Sequence, residues 1–194
     1  MRLFVAFDLS ETVRSRIALL LRGLEQSELS RRAGIRWLGA ESLHLTLKFI
    51  GEQPEEKLQA VVEALSAVPA PAPMDLKFRG LGCFPNDRRP RVFWLGVEAP
   101  PELGGLASGI EQALEPLGIA REHRSFSAHL TIGRLKDAGH FNKLRSQVGN
   151  LLESRRDEDF GWCRAEEFFL YRSQLTPDGS QYTKIKAFPL SAMS

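Results

Sequence analysis

His44-Leu45-Thr46-Leu47-Lys48-Phe49 and, in the second half of the chain, His129-Leu130-Thr131-Ile132-Gly133-Arg134 are two versions of one six-residue phrase. The chain has 194 residues with four histidines and five threonines. The product of counts over length predicts about 0.1 His-x-Thr pair by chance. Two copies, each with an aliphatic residue on either side of the threonine, therefore point to a duplicated unit. In a strand the side chains alternate between faces. His44 and Thr46 then share one face with Leu45 and Leu47 behind, and His129 and Thr131 repeat the pattern over Leu130 and Ile132. Lys48 has the parity of His44 and Thr46 and is expected beside them. Arg134 has the opposite parity to His129 and reaches that face only if the strand twists or bulges, for which Gly133 is suited.

Working outward from the motifs, Leu3, Val5, Phe7 and Leu9 alternate as a strand, and Ser10 is placed to cap a helix over 11–29 with Val13, Ile17, Leu20, Leu21 and Leu24 on one face. A strand region over 36–50 ends at Gly51. A helix then begins near Pro54, with Leu58, Val61, Val62 and Leu65 buried, and the PAPAP run at 69–73 breaks it before a strand over 74–84. The second half repeats the order: strand 92–97, helix 101–117, strand 129–135, helix near 141–152, strand 165–173. A final strand is expected near 182–190. Aligning the motifs sets LFVAF (3–7) against FWLGV (93–97). The expectation is an α+β fold of two β-α-β-α-β units, with the motifs around 41–52 and 126–136. The 85–90 linker is too short for independent domains, so residues 1–194 are read as one bilobal domain.

Lys and Arg total 26 against 24 Asp and Glu, a formal charge of +2, which excludes a protein that coats nucleic acid through a strong positive field. Two cysteines, without CxxC spacing, support neither a disulfide framework nor a cysteine-based zinc site and fit a reducing, cytoplasmic setting. No signal peptide and no run of about 18 apolar residues is found, so an unexported protein without a membrane partner is expected.

Two imidazoles and two hydroxyls converging from two lobes are equipment for opening a phosphodiester without a metal. One imidazole takes a proton from water, the other gives one to the departing oxygen, and the hydroxyls hold the non-bridging oxygens. Neither motif holds a carboxylate, and no HExxH or His-x-His spacing occurs, so a metal site is not expected. His123 and His140, without threonine partners, are read as structural. Phe4 and Phe49 are read as core, Phe7 at the end of its strand as a possible platform for a base, and Arg88, Arg89 and Arg91 as a solvated turn within reach of an RNA backbone.

These segments, together with RLFVAFDL (2–9), ESLHLTLKFIGE (41–52), RPRVFWLGV (89–97) and LYRSQLTPDGSQY (170–182), make the chain resemble, nearly end to end, the two-histidine (2H) phosphoesterases. The branch is that of the LigT-like bacterial RNA 2′,3′-cyclic phosphodiesterases once called 2′-5′ RNA ligases. The resemblance implies two antiparallel sheets around a V-shaped cleft, no metal or other cofactor, and a 2′-phosphomonoester product. It implies His44 as proton donor to the 3′-oxygen, His129 as proton acceptor from water, and Thr46, Thr131 and Arg134 around the phosphate. Lys48 and Phe7 are further candidates for substrate contact. The family pattern PFxPHxT is Ser125-Phe126-Ser127-Ala128-His129 here, a departure at the entry to the second motif strand. The expected partners are RNA ends or nucleotides bearing a 2′,3′-cyclic phosphate, acted on by a monomer. The alternatives are 2′-5′ ligation or 2′-5′ phosphodiester cleavage in the same site, a small-molecule cyclic phosphate as substrate, or a binding module without turnover.

Overall fold

The computed structural model describes residues 1–86, 89–135, 138–176 and 179–191, with the backbone alone for 138–143 and 179. The strand β1 (Arg2–Phe7) leads into α1 (Glu11–Gln26), capped by Ser10, whose hydroxyl oxygen accepts from the Val13 N–H. The helix expected over 11–29 ends earlier. Ser27 terminates α1 through its N–H on the Leu24 carbonyl and caps a second short helix, α2 (Glu28–Ala33), by accepting from the Ser30 N–H. A serine that serves both helix ends produces a bend, because its side chain competes with the helical backbone for hydrogen bonds. Gly34, at φ 69°, then closes α2.

The region read as one strand over 36–50 is two strands in two different sheets. The strand β2 (Ile35–Trp37) is followed by a 3-10 turn at Ala40–Ser42 and then by β3 (Leu45–Glu52). Next come α3 (Leu58–Ser66), β4 (Met74–Phe84), β5 (Val92–Glu98), α4 (Glu102–Leu114), β6 (His129–Leu135) and α5 (Ala138–Ser154). The strand expected at 165–173 is β8 (Glu167–Thr176), preceded by β7 (Asp159–Ala165), which the sequence reading did not anticipate, and followed by β9 (Gly179–Pro189).

Both sheets are antiparallel. The first runs β3-β1-β8-β9 and the second β2-β6-β5-β4-β7. The lobes are thus not the two halves of the chain: β2 and β4 from the first half complete the second sheet, and β8 and β9 from the second half complete the first. Helix α1 packs on β7 and β2, and α5 on β4, whereas α4 packs on β3. One apolar core runs through both lobes, from Leu3, Val5 and Phe7 of β1 to Leu95 of β5 and Ile132 of β6. The opposite face of the first sheet has its own small cluster of Phe4, Ala6, Phe169 and Tyr171. This second, non-core face is the one that carries the first motif.

The register moves the internal repeat by two residues. Ala6 pairs with Thr46 as Trp94 pairs with Thr131, and each strand skips the next residue, Leu47 or Ile132, before pairing resumes at Val5 with Lys48 and Phe93 with Gly133. LFVAF therefore corresponds to RVFWL (91–95), not to FWLGV.

Candidate active site

Each motif strand bulges directly after its threonine, and the bulge decides which side chains reach the site. A residue left unpaired reverses the alternation for everything after it. In β6 the bulge at Ile132 returns Arg134 to the face of His129 and Thr131: the three lie opposite Val92, Gly96 and Trp94, respectively, all of one parity in β5. The reach expected of Arg134 is met, with the irregularity at Ile132 rather than at Gly133, and the guanidinium is exposed.

The same device in β3 undoes the expectation for Lys48. The bulge at Leu47 turns Lys48 to the core side opposite Val5. There it is 3% exposed and its ammonium donates to Glu111 Oε2 and to the Ala120 carbonyl, both at 2.6 Å. In its place Phe49, opposite Phe4, comes to the face of Thr46 and is 60% exposed, its ring centroid 6.3 Å from that of Phe4. Phe49 is the structural counterpart of Arg134, and its reading as core is corrected. Phe7 is 1% exposed and packs edge-on against Phe168, so it offers no face to a base.

The two histidines are held alike. Nδ1 of His44 lies 3.1 Å from the Ser42 carbonyl, and Nδ1 of His129 lies 2.7 Å from the Ser127 carbonyl, each two residues before its histidine. A carbonyl only accepts, so Nδ1 carries the hydrogen in both rings and Nε2 is the atom offered for proton transfer. The second motif makes this contact without the proline of the family pattern. Aromatic walls fix the ring planes. Phe4, Tyr171 and Tyr182 meet His44 edge-on, and Phe84 meets His129 at 5.0 Å and 85°. Phe84 is in turn 5.4 Å from Trp94, whose indole lies over Gly82, where a Cβ would stand 2.2 Å from the ring. Strands β3 and β6 touch, which brings the motifs to the junction of the two sheets.

The surroundings of the two rings differ. The side chain of His44 is 8% exposed, and its Nε2 is 3.6 Å from Asp8 Oδ1. Asp8 also pairs with Lys184 at 2.5 Å and accepts from the Tyr171 hydroxyl. Burial pushes the His44 imidazole below its ordinary pKa, while Asp8 and the Ser42 carbonyl act in the opposite direction. Burial also opposes ionisation of Asp8, but Lys184 and Tyr171 more than offset it, so the Asp8 carboxyl titrates below the usual range. The Tyr171 hydroxyl is pushed well up by burial and by Asp8 and stays protonated. Sequence reasoning assigned no role to Asp8, Tyr171, Tyr182 or Lys184. The first three lay inside the segments RLFVAFDL and LYRSQLTPDGSQY that carried the resemblance, but periodicity alone could not single them out.

His123 has no threonine partner and lies exposed before β6. Arg88 and the side chain of His140 are outside the described residues. Among the described residues, no three His, Cys, Asp or Glu side chains are grouped as a metal would require.

The model of the family described as LigT like Phosphoesterase matches twice, over residues 7–94 and 95–182. An RNA 2′,3′-cyclic phosphodiesterase of Archaeoglobus fulgidus is 38% identical over 188 residues, covering 97% of this chain and 99% of the relative. A protein of the same name from Thermus thermophilus is 35% identical, covering 98% and 90%. Among solved structures, a protein of Thermus thermophilus superposes with a TM-score of 0.76 at 30% identity over 100% of both chains. E. coli LigT complexed with 3′-AMP does so with 0.75 at 28% identity over 98% of both.

Proposed function

This chain belongs to the LigT-like phosphoesterases, and on that premise we propose that it hydrolyses RNA 2′,3′-cyclic phosphates to 2′-phosphomonoesters with His44 and His129 as its acid and base. The observation that carries the reading is the matched construction of the two motif strands. Each presents an imidazole with Nε2 outward, then a threonine, then a third residue restored to the same face by a bulge.

Each group has a task in this chemistry. The neutral His129 accepts the proton of the attacking water at Nε2, and the protonated His44 donates from Nε2 to the departing 3′-oxygen. The hydroxyls of Thr46 and Thr131 donate to the non-bridging phosphate oxygens, and Arg134 adds charge to that cradle. Burial makes the His44 imidazole hard to charge. Asp8 beside Nε2 and the anionic phosphodiester, once bound, both favour the imidazolium, so charging of the acid is coupled to arrival of the substrate. Phe49 presents an open ring on the first motif's side of the cradle, where a base can stack. A monomer working on RNA ends in the cytoplasm is part of this proposal, and two cysteines without CxxC spacing fit that reducing compartment. No helix among the described residues is long and apolar enough to cross a membrane.

The experiment is an assay on RNA oligomers and nucleosides ending in a 2′,3′-cyclic phosphate, with EDTA present and with the phosphate position of the product determined. The expected product carries a 2′-phosphate and forms at the same rate with or without chelator. Release of a 3′-phosphate, or turnover that stops with EDTA and returns with a divalent ion, would refute the assignment.

A further inference from the structure

Beside His44 the structure holds a cavity of about 500 Å³. It opens between the end of β1, the first turn of α1, the 3-10 turn before β3, and β9. Its walls include Arg14, Ser42, His44, Tyr182, Thr183 and Lys184. The phosphate-binding residues Thr46, Thr131 and Arg134 do not line it, so it is a chamber adjoining the reaction centre with His44 as the common wall.

Arg14 gives this chamber its character. Its Nη1 donates to the Ala40 carbonyl at 2.7 Å and lies 3.5 Å from the Leu43 carbonyl, which pins a half-buried guanidinium against the 3-10 turn. No carboxylate among the described residues pairs with it. A guanidinium has five donors in a rigid fork, and anchoring one nitrogen leaves the others preorganised for an acceptor. The other charges on the walls are Lys184 and Asp8, which neutralise each other, and Glu41, which is exposed. Arg14 is thus the cation on these walls that no carboxylate pairs among the described residues, and the Thr183 hydroxyl adds a donor, whereas that of Ser42 already donates to the Gly39 carbonyl.

Substrate chemistry says what arrives there. His44 protonates the 3′-oxygen, and the 5′-phosphate of the same ribose is only a few bonds from that oxygen. We propose that this chamber binds the phosphate on the 5′ side of the terminal ribose, so that the enzyme distinguishes the end of an RNA chain from a nucleoside cyclic phosphate. The proposal rests on the assignment of His44 to the leaving oxygen.

The test is binding of two product-like probes, adenosine 2′-phosphate and adenosine 2′,5′-bisphosphate, measured by calorimetry alongside turnover of the cyclic phosphate. A charge-assisted hydrogen bond to the second phosphate predicts about tenfold tighter binding of the bisphosphate by the unaltered protein. Arg14→Gln should bring the ratio close to one. Thr183→Asp, at an exposed strand position where folding is not at stake, sets a negative charge on the wall and should also abolish the preference. Equal affinity for the two probes in the unaltered protein, or a preference that survives both substitutions, overturns the proposal. A protein that opens cyclic phosphates yet shows no such preference loses the chamber alone. One that neither binds the probes nor opens cyclic phosphates loses the assigned reaction as well.

Discussion

Lys48→Met separates two accounts of one residue. Parity within HLTLKF sets the ammonium next to His44. The bulge instead turns it inward to Glu111, with side-chain exposures of 1% and 15% and a second bond to the Ala120 carbonyl. Deleting one member of a buried ion pair costs about 3–5 kcal/mol, because the surviving charge has lost both water and partner. At about 2–4 °C per kcal/mol for a chain of this size, the melting temperature should fall by about 6–20 °C. The loss comes from an uncompensated carboxylate rather than from the pair's net worth, so Lys48→Met/Glu111→Leu should recover most of it. Urea and thermal melts give the stabilities, and turnover of a 2′,3′-cyclic phosphate well below the melting point gives the activity. The single variant should retain activity there. A variant that melts within about 2 °C of the parent yet fails to turn over substrate would place Lys48 in the site and refute the bulge argument.

Three further outcomes are expected. His44→Ala should regain part of its lost rate on a nitrophenyl phosphodiester, whose leaving group needs no proton, whereas His129→Ala should stay inactive because water still needs a base; the reverse pattern would exchange their roles. Asp8→Asn removes an anion 3.6 Å from Nε2 of His44, an interaction worth about 1 kcal/mol at the water-like dielectric suited to a carboxylate already paired with Lys184. The imidazolium is then less stable, its pKa falls further, and the limb of the pH–rate profile that reports His44 should move acidward by about one pH unit; an unmoved profile would remove Asp8 from the acid's environment. Phe49→Ala should raise KM for base-bearing substrates by about tenfold, from the loss of one base–aromatic stack, and leave a nitrophenyl phosphodiester unaffected; equal effects on both would deny Phe49 a base.

The chemistry is legible in the amino-acid sequence alone, because it is written in residue types and short spacings. His44 and Thr46, like His129 and Thr131, are separated by one residue, and a step of two positions puts side chains on one face of any strand. The fold class and most element positions follow in the same way from period and punctuation, as with Ser10 before α1 and the PAPAP run after α3. Only the tertiary structure decided what depends on pairing between distant strands. Whether β2 and β3 are one strand or two, and in which sheet each lies, turns on which edges they hydrogen-bond. The bulges at Leu47 and Ile132 exist only relative to the neighbours β1 and β5, yet they exchange Lys48 for Phe49 and admit Arg134 to the site. Asp8, Tyr171 and Lys184 meet at His44 because β1, β3, β8 and β9 lie side by side, an adjacency between residues far apart in the chain that no local pattern encodes.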